Sequence, residues 1–81
     1  MTDPTPKMTV DCTDLLCPLP VYKAGVALNR MEPGDRLELI CTDPGSLADI
    51  PAMARQRGDT LVSAEAEGGR QVFVIEKGVG A

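Results

Sequence analysis

The chain has 81 residues, of which 43% are hydrophobic and 25% charged, and it carries a formal net charge of −4. That length holds one compact domain with a modest core, so any chemistry must sit near the surface and use few residues. Tyr22 and Phe73 are the only aromatics, and an acidic chain without stacking platforms or a cation excess is a poor direct binder of nucleic acid, which leaves protein partners as the natural reading.

The chain has no histidine. A Cys-His dyad and a histidine metal site are therefore excluded, and a general base has to be a carboxylate, a lysine or a partner's group. The cysteines are Cys12, Cys17 and Cys41. An odd count without a Cys-x-x-Cys pair does not read as a disulfide scaffold. The spacing matches no zinc finger or ribbon, so neither metal nor cofactor is expected. Residues 1–7 lack the apolar run of a signal peptide, and no segment has the length of a membrane span. The expectation is a cytoplasmic protein, away from membranes, whose thiols stay reduced.

Along the chain, residues 1–7 are polar with two prolines and read as a flexible tail. A single domain is expected over residues 8–78, followed by a short tail over 79–81. Met8, Val10 and Cys12 alternate with Thr9 and Asp11, a strand pattern. After a loop, a helix is predicted over 18–31. Pro18 suits its first position, where a missing N–H costs nothing. Leu19, Val21, Tyr22, Val26, Leu28 and Met31 supply apolar bulk, and Lys23, Asn29 and Arg30 the wet side. Gly25 costs about 1 kcal/mol against alanine there, which predicts close packing of the helix on a sheet.

Glu32-Pro33-Gly34-Asp35 is a stop and a turn. A second strand follows over 36–42. Pro51 interrupts a helix begun at Asp43, so a short turn is expected first and then a helix capped by Asp49, with Pro51 in its first turn. Gly58 suits the helix stop. Residues 60–67 alternate as a third strand, Gly68-Gly69 signals a hairpin, and 70–77 form the fourth strand. The order β-α-β-α-β-β predicts an α+β fold: a two-layer sandwich with a four-stranded mixed sheet and both helices on one face. Right-handed crossover makes the first two strands parallel.

Cys17 stands where the first loop enters the first helix. Free N–H groups at a helix N-terminus stabilise a thiolate, so a lowered thiol pKa is expected there. Pro18 and Pro20 stiffen this terminus and hold Cys17 at one exposed place. The competing reading is a small buried core residue that happens to precede a helix.

The run Asp11-Cys12-Thr13-Asp14-Leu15-Leu16-Cys17-Pro18-Leu19-Pro20-Val21 resembles the signature of the TusA/SirA sulfur-carrier family, whose hallmark is Cys-Pro-x-Pro. The resemblance continues in Glu32-Pro33-Gly34-Asp35, Thr42-Asp43-Pro44-Gly45, Asp49-Ile50-Pro51 and the final strand before Gly78. It implies the same β-α-β-α-β-β sandwich. It also implies that Cys17 carries sulfane sulfur as a persulfide between a donor protein, a cysteine desulfurase or rhodanese type, and an acceptor protein. The destinations it implies are tRNA thiolation, molybdenum-cofactor assembly and dissimilatory sulfur metabolism. Two positions depart from the pattern. Asp14 stands where many members have glycine, and aspartate tolerates left-handed backbone better than most residues. Leu16 replaces the arginine of tRNA-thiolation members, which weakens that destination and favours the thiolate less.

Cys41 ends the second strand, on the edge shared with the Cys17 loop if the first two strands are parallel neighbours about 5 Å apart. It reads as a buried strand residue or as a resolving thiol for Cys17. Cys12 reads as core. Asp43 reads as a turn-forming cap or as a proton-handling group near Cys17. Lys23 reads as a solvated or docking cation, and Arg55 and Arg57 as complements to a helix dipole. Three functions compete. The first is sulfur transfer on Cys17. The second is thiol–disulfide or redox sensing with Cys17 and Cys41. The third is an interaction module in which Cys17 is incidental, made less attractive by the lack of exposed aromatic anchors. A monomer is expected, since a carrier thiol must meet successive partners.

Overall fold

A computed structural model describes residues 6–79. The strands are β1 (Met8–Cys12), β2 (Arg36–Cys41), β3 (Thr60–Glu67) and β4 (Arg70–Glu76). The helices are α1 (Leu19–Asn29), between β1 and β2, and α2 (Ser46–Arg57), between β2 and β3. The sheet order is β1-β2-β4-β3. β1 runs parallel to β2, and the other pairs are antiparallel. This is the predicted mixed sheet and element order. The predicted tails fall largely outside the described residues. Lys7, placed in the first of them, donates its N–H to the Arg36 carbonyl at 2.8 Å and extends the β1–β2 ladder.

Alternation decides which face the helices cover. Leu37, Leu39 and Cys41 of β2 and Phe73 and Ile75 of β4 are fully buried. Ala24, Ala27 and Leu28 of α1, and Ile50, Met53 and Ala54 of α2, pack on them. The small side chains Ala24 and Ala27 let α1 lie close to the sheet. Leu28 joins them in the core, and other bulky residues of α1 turn outward. Leu19, Tyr22 and Val26, expected as interior bulk, are 46%, 69% and 38% exposed.

Three local expectations are corrected. α1 begins at Leu19, with Pro18 as the residue before it and Pro20 in its first turn. α2 begins at Ser46, three residues ahead of Asp49, and Pro51 lies inside it. A proline there deletes one ladder bond, to the Leu47 carbonyl. Burial of Ser46 and Ile50 holds the first turn regardless, and the N–H groups of Ser46 and Ala48 find the carbonyls of Asp43 and Gly45. Gly25 does not meet the sheet. It faces α2, where a Cβ would lie 3.9 Å from the Arg57 guanidinium. That is an ordinary contact distance, so an alanine would fit beside Arg57, which pairs with Asp59 at 2.8 Å and donates to the Asn29 side chain at 3.0 Å.

Gly58 ends α2 as predicted, with φ 80°. The Asp59 N–H then reaches back to the Ala54 carbonyl at 2.9 Å. The Asp59 carboxylate also accepts the Gly78 N–H at 2.8 Å. Gly78 approaches so closely that a Cβ on it would collide with the Gly58 carbonyl. At the other helix end, the Lys77 ammonium donates to the Leu28 carbonyl at 2.9 Å, a cation placed at the negative end of α1.

Two stability predictions follow from this packing. Phe73→Ala empties the largest fully buried site and should cost about 3–5 kcal/mol, read as a fall in the urea midpoint. Gly78→Ala should cost about 1–3 kcal/mol by overpacking, while the same change at helical Gly25, where a Cβ would lie at an ordinary contact distance of 3.9 Å, leaves no collision to relieve and should cost less.

Candidate functional site

Parallel pairing brings Cys12 opposite Cys41. The β1–α1 and β2–α2 loops therefore leave the sheet from one edge, side by side. Asp14 takes the left-handed conformation, φ 66°, where many members of the resembling family place glycine. Its N–H donates to the Thr42 hydroxyl at 2.8 Å. The turn survives because the second loop holds it.

Asp43 ties the loops more firmly. One carboxylate oxygen accepts the Cys17 N–H at 2.8 Å, and the other accepts the Gly45 N–H at 3.3 Å. Asp43 is thus a turn former and also a clamp on the Cys17 backbone. Buried Gln71 supports it from β4. With its amide nitrogen turned toward the loop, it donates to the carbonyls of Asp43 and Cys41 at 3.2 and 3.1 Å.

Cys17 is exposed, whereas Cys12 and Cys41 are buried. Its thiol donates to the Asp49 carboxylate at 2.7 Å. Pro18, Val21, Ala52, Met53 and Gln56 complete a shallow groove of about 270 Å³ around the pair. The electrostatics reverse the expectation from sequence. The Asp49 hydrogen bond pushes the Cys17 thiol above its ordinary pKa, helped by partial desolvation and by the charges of Asp49 and Asp43. The helix start offers little to oppose this. Pro18 and Pro20 have no N–H, and the Leu19 N–H is taken by the Leu16 carbonyl at 2.9 Å.

Cys41 lies on the core side of the sheet with no exposed surface. Burial raises its thiol pKa, partly offset by a hydrogen bond with Ser46. Burial raises the Cys12 thiol as well. Neither presents a thiolate to solvent, which weighs against Cys41 as a resolving group. Lys23 stands away from the groove, beside Met8 and Val10 at the β1 edge. Among the described residues no cluster of three or more metal-ligating side chains is present, and no helix is long and apolar enough to cross a membrane.

Two features were missed from sequence. Asp49 reads there as a helix cap, whereas it faces the thiol. The periodicity held the signal, since Asp49, Ala52, Met53 and Gln56 recur at the spacing of one helix face. The second is the apolar collar of Leu16, Leu19, Tyr22 and Val26. Tyr22 is an exposed aromatic anchor of the kind the sequence was read as lacking.

Comparison with known proteins agrees with this geometry. The family described as sulfurtransferase TusA matches residues 8–77. The sulfur carrier protein TusA of Allochromatium vinosum is 44% identical over 68 residues, covering 84% of this chain and 90% of that protein. TusA of Pseudomonas putida is 35% identical over 77 residues, covering 95% and 96%. The crystal structure of a SirA-like protein from Desulfitobacterium hafniense superposes with a TM-score of 0.76 at 26% identity, covering 88% of this chain and 97% of that one. With a matching sequence along nearly all of β1 to β4 and a matching fold, the chain belongs to the TusA family of sulfur carriers.

Proposed function

We propose that Cys17 holds sulfane sulfur as a persulfide and relays it from a donor protein to an acceptor protein in the cytoplasm. The observation that carries this reading is the sorting of the three thiols: Cys17 is exposed at a stiffened helix start, and Cys12 and Cys41 are buried. Loading begins when the Cys17 thiolate attacks the outer sulfur of a donor persulfide. A bond forms to Cys17 Sγ, the donor's S–S bond breaks, and the donor leaves as a thiol after taking a proton. Unloading repeats the exchange, with the acceptor thiolate attacking and Cys17 leaving. Sulfane sulfur changes hands with no net oxidation, so no cofactor is required.

The surroundings favour macromolecular partners over small substrates. The groove at Cys17 is too shallow to enclose a ligand. Leu16 and Leu19 flank Cys17-Pro18 in the chain, and Tyr22 and Val26 continue the exposed apolar stripe along α1. Exposed apolar residues near the Asp43 and Asp49 carboxylates at Cys17 suit a protein that presents a basic group to those acids. Leu16, 69% exposed, gives the thiol an apolar shoulder where tRNA-thiolation members carry arginine, and this too favours a protein acceptor.

Incubation with a cysteine desulfurase and cysteine, followed by intact-mass measurement, tests the reading. Wild type and Cys41→Ala should each gain one sulfur atom, and Cys17→Ala none. Sulfur appearing on Cys17→Ala, or absent from wild type, would sink the proposal.

A further inference from the structure

The carrier reading leaves one contact unexplained. A thiol that must act as a nucleophile donates its proton to a carboxylate 2.7 Å away. A second carboxylate, Asp43, grips the same residue's N–H at 2.8 Å. Among the described residues the ion pairs are Arg36–Glu76 and Arg57–Asp59, so neither Asp43 nor Asp49 has a cation of its own. The remaining groove residues, Pro18, Val21, Ala52, Met53 and Gln56, are uncharged. Two acids therefore face Cys17, one from α2 and one from the β2–α2 loop, and nothing in the groove balances them.

We propose that Asp49 is a positioning residue that latches the unloaded Cys17 thiol in the free protein, and that a cationic side chain of the docking sulfur donor opens the latch by pairing with Asp49. The proposal rests on Cys17 being the carrier residue. With Asp49 unpaired, the thiol proton is bonded to a carboxylate, and forming a thiolate would set two negative charges at hydrogen-bond distance. A lysine or arginine brought against Asp49 removes that penalty. The Cys17 proton then passes to solvent, and the thiolate attacks the donor's outer sulfur. The balance is Cys17–SH plus donor persulfide giving Cys17 persulfide plus donor thiol. Once Sγ is bonded to sulfur it has no proton to give Asp49, so the latch engages only the empty carrier. Between encounters the thiol is guarded from small electrophiles and oxidants, whose attack requires the thiolate.

The test follows alkylation of Cys17 in the full chain by iodoacetamide across pH, resolved by peptide mass. A carboxylate acceptor favours the thiol, so the wild-type midpoint should lie above the ordinary thiol value of about 8.5. Asp49→Asn should lower the midpoint. Below the midpoint, each unit of fall raises the alkylation rate about tenfold. Asp49→Glu, which keeps the acid, should restore the high midpoint. Cystamine, a cationic disulfide, should react with wild type several-fold faster than neutral bis(2-hydroxyethyl) disulfide. That preference should shrink in Asp49→Asn and persist in Glu65→Gln on exposed β3. A wild-type midpoint at or below the ordinary thiol value overturns the latch and needs no variant. So does an Asp49→Asn profile that superimposes on wild type. Sulfur loading of the same wild-type preparation separates the two ideas. Loading on Cys17 with an unchanged Asp49→Asn profile removes the latch alone, and failure to load removes the carrier reading while the alkylation profile remains readable.

Discussion

The site depends on the Asp43 carboxylate bridging two loops. Neither loop has regular structure to fix it, and the start of α1 is poor in donors because Pro18 and Pro20 carry no N–H. Asp43 supplies the missing restraint by accepting N–H bonds from Cys17 in one loop and Gly45 in the other. One carboxylate that accepts from both loops ties their backbones together, and a charged acceptor makes a stronger hydrogen bond than a neutral one. The bridge exists because parallel pairing of β1 with β2 releases both loops at one edge. Topology, clamp and thiol position are thus one chain of cause.

Packing assigns a second role to the same helix. A small domain has little apolar surface to spare for anything but its core, yet α1 leaves three bulky apolar residues in water. The reason lies on its other side, where Ala24 and Ala27 are buried against the sheet. Small residues inward bring the helix close, and the core is then completed by Leu28, Phe73 and the β2 side chains. The exposed residues are surplus to folding. An apolar stripe left in water costs solubility and adds little to the core of the chain.

Much of this was legible in the sequence because it rests on local rules. Strand alternation, the Glu32-Pro33-Gly34-Asp35 stop, the Gly58 helix end and the Gly68-Gly69 turn each announce themselves within a few residues. The element order then fixes a parallel β1–β2 pair. What escaped depends on long-range juxtaposition. The start of α2 was misread because Pro51 obeys a local rule that burial of Ser46 and Ile50 overrides. Gly25 was assigned to the sheet, but its neighbour is Arg57, 32 positions along the chain. The Cys17 thiol was expected to be acidified by its own helix, and instead it answers to an acid on the other helix. Such a reversal is invisible until the fold sets α1 and α2 side by side.

Tyr22 carries a practical consequence. It is the sole tyrosine in a chain without tryptophan, and it is largely exposed on the helix that begins at the Cys17 loop. The tyrosine fluorescence of this protein therefore originates from one exposed ring, outside the core in which Phe73 is enclosed. That emission is a built-in optical reporter of whatever covers the apolar collar, and it needs no label attached to the thiol itself.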